Sequence, residues 1–177
     1  GFARTGYTFA GWATTAGGAV AYTDGQSVLN LTATQGATVQ LYAKWTTLPT
    51  YAVTYSANGA TSGTAPDSQT KTNDVALTLA SNSGNLEKTG YIFVGWNTAA
   101  NGTGMDYAVG ASYTVNAALA LYAKWTPVTY TVAYNGNGST GGSTANSSHT
   151  YDVAKALTAN GFARTGYTFA GWATTAG

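Results

Sequence analysis

The chain has 177 residues, with seven Lys or Arg, six Asp or Glu and a formal net charge of +1. So small a charge supplies no basic field for nucleic acid and no acidic tail, and thirteen Tyr with five Trp are more aromatics than a disordered chain carries. The absence of Cys excludes disulfides and thiolate metal sites, and a single His excludes a multi-histidine metal site within one chain.

The first predicted element is GYTFAGW at 6–12. Tyr7 and Phe9 share one strand face, and Trp12 falls on the other parity just after Gly11. That spacing predicts a bend that carries the indole back over the sheet. A turn-rich connection leads to VQLYAKW at 39–45. There Val39, Leu41, Ala43 and Trp45 line one strand face, and Gln40, Tyr42 and Lys44 the other. The spacer TTLPT at 46–50 contains a Pro and is too short to act as a flexible tether. Tyr51, Val53 and Tyr55 then alternate as in a half-buried strand, and Asn58-Gly59 is a hairpin-turn signal. The Ser/Thr/Asn-rich stretch 60–88 contains NDVALTLASN at 73–82. It reads as a short helix capped by Asp74, in preference to a strand through Val75, Leu77 and Leu79.

GYIFVGW at 90–96 repeats the opening motif, with Tyr91, Phe93, Gly95 and Trp96 in the equivalent places. Leu119, Leu121, Ala123 and Trp125 then line one face of a strand that holds the second LYAKW, and TPVT at 126–129 is the second spacer. Tyr130, Val132 and Tyr134 alternate once more, and the turn is expected at Asn135-Gly136. YDVAKALTANG at 151–161 places Asp152 at the cap of another short helix. The last element is GYTFAGW at 166–172, with Tyr167, Phe169, Gly171 and Trp172.

This recurrence divides the chain into the C-terminal part of a repeat unit at 1–45, a complete unit at 51–125 and the N-terminal part of a unit at 130–177. Residues 1–17 recur letter for letter at 161–177. That identity implies a higher-order repeat of two unlike units, with the chain a window onto a longer tandem array. The expected fold class is mainly β or small α+β, in tandem compact units.

The order Y-x-V-x-Y-x-x-N-G, then R/K-T-G-Y-x-F-x-G-W, then L-Y-A-K-W resembles the Listeria–Bacteroides repeat, also called the internalin B B-repeat family. Nearly the whole chain takes part, and the closest motifs are RTGYTFAGW at 4–12 and 164–172 and KTGYIFVGW at 88–96. The resemblance implies a β-grasp-like module, a small mixed sheet around a short helical element, repeated in large exported bacterial surface proteins. It implies a location at the cell wall or outer surface and a role as stalk or spacer, with neighbouring repeat units as partners. An adhesive module that binds host protein or glycan weakly is the alternative.

No catalytic constellation is expected, and no metal or cofactor. His149 lies near Ser147, Ser148 and Asp152, but that spacing does not establish a triad, and it reads as a surface histidine in a loop. Asp24, Asp67, Asp74, Glu87, Asp106 and Asp152 form no clustered pattern. GNGSTGGST at 136–144 lacks the Lys-Ser/Thr ending of a phosphate loop. Lys44 and Lys124 read as outward lysines whose stems cover neighbouring rings. A partner-binding lysine, or an internal Lys–Asn or Lys–Asp amide crosslink, is their functional alternative. The tryptophans at 12, 45, 96, 125 and 172 read as packing residues rather than sugar platforms. Finally, 130–177 lacks an LYAKW strand and 1–45 offers one, so head-to-tail strand complementation between copies is expected as a route to self-association, with closure inside one chain as its rival.

Overall fold

A computed structural model describes residues 1–176; Gly177, the last letter of the closing repeat, lies outside them. Among the described residues every regular element is a β-strand. In chain order these are β1 (Tyr7–Ala13), β2 (Tyr42–Thr47), β3 (Thr50–Ser56), β4 (Gln69–Thr72), β5 (Leu77–Thr78), β6 (Tyr91–Asn97) and β7 (Asp106–Tyr107). They continue with β8 (Ser112–Tyr113), β9 (Leu119–Pro127), β10 (Thr129–Val132), β11 (Gly141–Gly142), β12 (Ser147–Thr150) and β13 (Phe162–Ala163).

The chain gathers into two compact units. The first takes Gly1–Ser56, Pro66–Ser81 and Val109–Leu121; the second takes Ala57–Ala65, Asn82–Ala108 and the chain from Tyr122 onward. The first unit contains the antiparallel pairs β1–β2, β3–β4 and β5–β8. Its core includes Val53, Leu79, Tyr113 and Leu121, all buried. In the second unit β6 pairs antiparallel with both β7 and β9, while β10 pairs with β12 and β11 with β13. Leu86, Trp96 and Ala123 are buried there.

The G-Y-x-F-x-G-W motif forms the same antiparallel pair with the L-Y-A-K-W strand in both units. Phe9 faces Trp45 and Gly11 faces Lys44; Phe93 faces Trp125 and Gly95 faces Lys124. One residue is therefore extra on the motif strand, Ala10 or Val94, which is a β-bulge. The bulge needs glycine. Gly95 has φ +131°, and a Cβ there would lie 2.8 Å from the Tyr107 carbonyl oxygen of β7. The bulge also resets parity, so the indole returns to the phenylalanine side. The Phe9–Trp12 and Phe9–Trp45 ring centroids are 5.1 and 5.6 Å apart, edge to face, and Phe93–Trp96 and Phe93–Trp125 repeat this at 5.2 and 5.7 Å. Such pairs add about 0.5–1.5 kcal/mol each beyond burial. The L-Y-A-K-W strands differ in length. β9 begins at Leu119, but β2 begins only at Tyr42, leaving Val39, Gln40 and Leu41 outside the strand.

Two expectations are corrected. No helix forms at 73–82 or 151–161. Asp74 and Asp152 both have φ +56°, whereas a helix N-cap has negative, strand-like φ. The Asp74 carboxylate accepts hydrogen bonds from the Asn73 and Asn116 side-chain amides instead of capping a helix. The chain then runs on as β5, with Leu77 opposite Tyr113, and Leu79 donates its N–H to the Ala111 carbonyl at 2.9 Å. The alternation Val75-Leu77-Leu79 prevails because a partner strand and a core position for Leu79 are present. The second hairpin turn lies at Asn137-Gly138 rather than Asn135-Gly136. Asn137 and Gly138 have φ +42° and +80°, matching Asn58 and Gly59 at +47° and +76°. In both turns the i+3 N–H bonds the i carbonyl, Ala60 to Ala57 and Ser139 to Gly136. Asn135 serves the turn from outside, its Oδ1 accepting the Asn137 N–H at 2.8 Å.

Candidate functional site

The spacers between repeats are shorter in the folded chain than in the sequence. Only Leu48 and Pro49 separate β2 from β3, and only Val128 separates β9 from β10. Both spacers are tied on each side by backbone hydrogen bonds. Leu48 donates its N–H to the Gly6 carbonyl and Pro49 accepts from the Asn73 N–H, both at 2.9 Å. In the second unit Val128 donates to Gly90 and accepts from Tyr151, again both at 2.9 Å. Each junction therefore holds the preceding repeat by its G-Y turn and the following repeat by the residue just after β4 or β12.

The R/K-T-G-Y motif builds the acceptor side. Tyr7 donates its N–H to the Arg4 carbonyl at 3.1 Å, Tyr91 to Lys88 at 2.9 Å and Tyr167 to Arg164 at 3.1 Å. Each is a four-residue turn whose third residue is a glycine at positive φ, between +76° and +79°. The turn stacks its first side chain over its last. Arg4 lies 3.8 Å from the Tyr7 ring centroid, Lys88 4.3 Å from Tyr91 and Arg164 4.1 Å from Tyr167.

The two junctions differ in chemistry. The first is polar, with Asn73 beside the spacer accepting the Tyr51 hydroxyl at 3.1 Å. The second is aromatic. Tyr151 occupies the position of Asn73 and packs edge to face on Tyr91 at 5.7 Å. The Tyr91 hydroxyl donates to the Asp152 carboxylate at 2.8 Å. That hydrogen bond is the main reason the Tyr91 hydroxyl is pushed above the usual phenol range, with burial and the negative charge adding to it.

The singled-out aromatic and glycine positions fall into two environments. Trp96 and Gly95 are buried, and Tyr7, Phe9, Trp12, Trp45, Tyr91, Phe93 and Trp125 are half-buried. Gly11 is also buried. Tyr167 and Phe169 are instead 67% and 52% exposed, and Gly171 is exposed. Trp172 is half-buried against Tyr134, Phe162 and Phe169, with centroids 4.7, 6.2 and 4.9 Å away.

His149 is not a loop histidine. It lies in β12, 4% exposed, stacked on Tyr130 at 5.6 Å. Its Nε2 is 2.9 Å from the Ser147 hydroxyl, but the Asp152 carboxylate is engaged with Tyr91, so no Ser–His–Asp relay is assembled. His149 faces Tyr130 as Lys71 faces Tyr51, so the two occupy the same register position. Lys71 is fully buried, a placement the sequence reasoning missed although the alternation of β4 carries it. Its Nζ donates to the Thr72 carbonyl at 2.7 Å and to Asn116 Oδ1 at 3.0 Å.

Lys124 forms a partly exposed ion pair with Asp106 at 2.6 Å. Hydrogen bonds from Lys124 first and Asn97 second hold the Asp106 carboxyl below the usual carboxylate range, against a smaller opposing effect of burial. Lys44 instead donates to the Gly17 carbonyl at 3.2 Å. Asn97 is a second residue the sequence did not reveal. It is fully buried, and its side chain ties together Ala99, Gly102, Gly104 and Asp106 around the loop before β7. Among the described residues no group of three or more His, Asp or Glu is arranged to hold a metal ion, and no helix is long and apolar enough to cross a membrane.

The family model for the Listeria-Bacteroides repeat domain matches residues 1–44, 51–124 and 130–177. The chain is 34% identical over 137 residues to a protein of Evansella cellulosilytica named provisionally as a Gly-rich membrane protein; the match covers 76% of this chain and 16% of that protein. A second protein of the same organism, named provisionally as a membrane protein, is 37% identical over 86 residues, which are 48% of this chain and 13% of its own length. The chain thus spans a small part of either relative. No solved structure matches it.

Proposed function

The chain belongs to the Listeria-Bacteroides repeat family, and from that premise we propose that it is a stiff spacer segment within a long repetitive protein, carried outside the cell at the wall or outer surface of a bacterium. It has the repetitive architecture of bacterial surface proteins, and it is non-catalytic. The observation that carries the spacer reading is the junction. Two successive spacers, unlike in sequence, are held by the same pair of backbone hydrogen bonds. A spacer of one or two residues tied on both sides leaves little hinge freedom. We take the repeats to be 1–45, 51–125 and 130–177, with the β-grasp likeness resting on their antiparallel hairpins and with extended chain at 73–82 in place of the helical element. The relatives' names as membrane proteins agree with exposure at the cell surface.

The test is scattering on chains with increasing numbers of repeats. For a stiff spacer the maximum dimension rises in proportion to repeat number. Growth as the square root of repeat number, as for freely jointed segments, refutes it. The adhesive alternative draws on residues that face outward from the motif hairpin. Those are Ile92 and Val94, 57% and 49% exposed, but Thr8 and Ala10 in the equivalent places. The apolar pair on the motif strand does not recur between the repeats, which favours the spacer. Self-association belongs to the same reading. Leu157, Phe169 and Tyr167 are 51–67% exposed, and an L-Y-A-K-W strand from a second copy is the element that would cover them head to tail. Light scattering that finds a monomer at high concentration rules this out.

A further inference from the structure

The buried Lys71 points to a covalent feature. A lysine ammonium taken wholly out of water costs several kcal/mol unless it is matched by acceptors, and this one has two oxygens, the Thr72 carbonyl and Asn116 Oδ1. Asn116 lies in the stretch between β8 and β9, far along the chain from β4. Its side chain is held from the other side by Asp74. Asn116 Nδ2 donates to Asp74 Oδ1 at 2.7 Å, and Asn116 Oδ1 also accepts the Asp74 N–H at 2.9 Å. Asp74 is itself fixed, at φ +56° with its second carboxylate oxygen accepting from Asn73. An amine, an amide and a carboxylate are thus aligned in that order within one compact unit.

We propose that Lys71 and Asn116 form an intramolecular amide crosslink, with Asp74 as proton relay. Nζ first gives up one proton and, as the neutral amine, attacks the Asn116 side-chain carbonyl carbon; the Nζ–Cγ bond forms and the Cγ–Nδ2 bond breaks. The two protons that Nζ must shed end on Nδ2, passed by the Asp74 carboxylate that already touches it, and Nδ2 leaves as ammonium. Charge is conserved, and no oxidant, metal or co-reactant is consumed. The Asp74 N–H that points at Oδ1 polarises the carbonyl that is attacked. The bond would fasten β4 to the segment that leads into β9, so the two could no longer slide apart under tension.

The same fold supplies its own contrast. The following repeat places His149 where Lys71 stands, and imidazole cannot form this bond stably. The Lys124–Asp106 pair is also a poorer candidate. It is an exposed ion pair, and an ionised carboxylate resists attack by an amine.

Mass mapping of the folded, purified chain decides the matter. The expected intact mass is one ammonia below that of the sequence, and the Lys71 and Asn116 peptides emerge from protease digestion joined, with no cleavage after Lys71. Lys71→His, a side chain this register position accommodates, and Asn116→Ala are both expected to restore the unlinked digestion pattern. Asp74→Ala is expected to leave most of the chain unlinked. A wild-type chain whose Lys71 and Asn116 peptides separate freely overturns the proposal, as does an ammonia loss that persists in Lys71→His and maps to a succinimide at an Asn-Gly pair. The wild-type map alone is decisive, so a variant that fails to fold does not rescue the idea.

Discussion

Replacing Gly90 by Ala tests how the aromatic junction holds its spacer. Gly90 has φ +78°, and a Cβ built there clashes with the Cγ, Cδ1 and Cε1 edge of the Tyr151 ring. Gly6, in the equivalent turn of the polar junction, has φ +79°, but its nearest neighbour is Thr72 Cγ2 at 3.9 Å. Both substitutions therefore incur the same left-handed backbone cost, about 1–2 kcal/mol. Only Gly90→Ala must also displace Tyr151. That forfeits the edge-to-face contact with Tyr91, about 0.5–1.5 kcal/mol, and loosens the Tyr151 N–H bond to Val128. The expected losses are about 1.5–3.5 kcal/mol for Gly90→Ala and about 1–2 kcal/mol for Gly6→Ala. Urea unfolding followed by tryptophan fluorescence measures both. A double-mutant cycle then isolates the clash: in a Tyr151→Ala background, Gly90→Ala should cost no more than Gly6→Ala does in the parent chain. Equal losses for the two single variants, or additivity in the cycle, would refute the view that Tyr151 is seated against Gly90.

Three further outcomes are expected. Leu79→Ala should cost about 2–5 kcal/mol, because Leu79 is 1% exposed, whereas Leu157→Ala should stay within about 0.5 kcal/mol, because Leu157 is 51% exposed; urea midpoints for the pair check this. Asp106 has a lowered folded-state pKa, so its pairing contributes stability above the ordinary carboxylate value and loses it as pH falls through the lowered one. Asp106→Asn should therefore flatten the acid side of the stability profile, read from urea midpoints at successive pH values. Tyr91 has a raised folded-state pKa, so its contribution is present below the ordinary phenol value and is lost as pH rises through the raised one. Asp152→Asn should bring the Tyr91 titration back towards the ordinary range in an ultraviolet titration, and an unmoved titration would remove Asp152 as the cause.

The motif strands and their aromatic pattern were readable because they are local signals. Alternation marks the strand, and glycine before tryptophan marks the bulge. The turn at 135–138 was misplaced by one Asn-Gly pair, since two such pairs are adjacent and only the hairpin alignment of Tyr134 with Tyr55 chooses between them. The helix preference at 73–82 failed for a different reason. Asp before an apolar run is a cap signal only if the aspartate has negative φ, and here a distant residue, Asn116, engages the Asp74 side chain and backbone. Lys71 and Asn97 were illegible for the same cause. Nothing next to them in sequence announces burial; their partners are a carbonyl or amide supplied by a loop or a later segment.

The duplicated segment separates local from borrowed structure within one molecule. Residues 1–17 and 161–177 share every letter, so intrinsic propensity is identical. The R-T-G-Y turn forms in both, with the same hydrogen bond and the same guanidinium over tyrosine. The bulge glycine keeps its unusual backbone too, φ +138° at Gly11 and +149° at Gly171, and phenylalanine meets tryptophan at 5.1 and 4.9 Å. Yet Tyr7–Ala13 is a strand paired with β2, while 167–173 is no strand. The reverse holds a few residues earlier. Phe162–Ala163 pairs with Gly141–Gly142 as a strand, while 2–3 is no strand. Turn, glycine backbone and aromatic contact thus belong to the sequence, whereas strand and bulge belong to whichever neighbour completes the sheet. A repeat of this kind carries its own corners and borrows its edges, which is why its stability must be sought at the junction and in the adjoining repeat rather than in the motif alone.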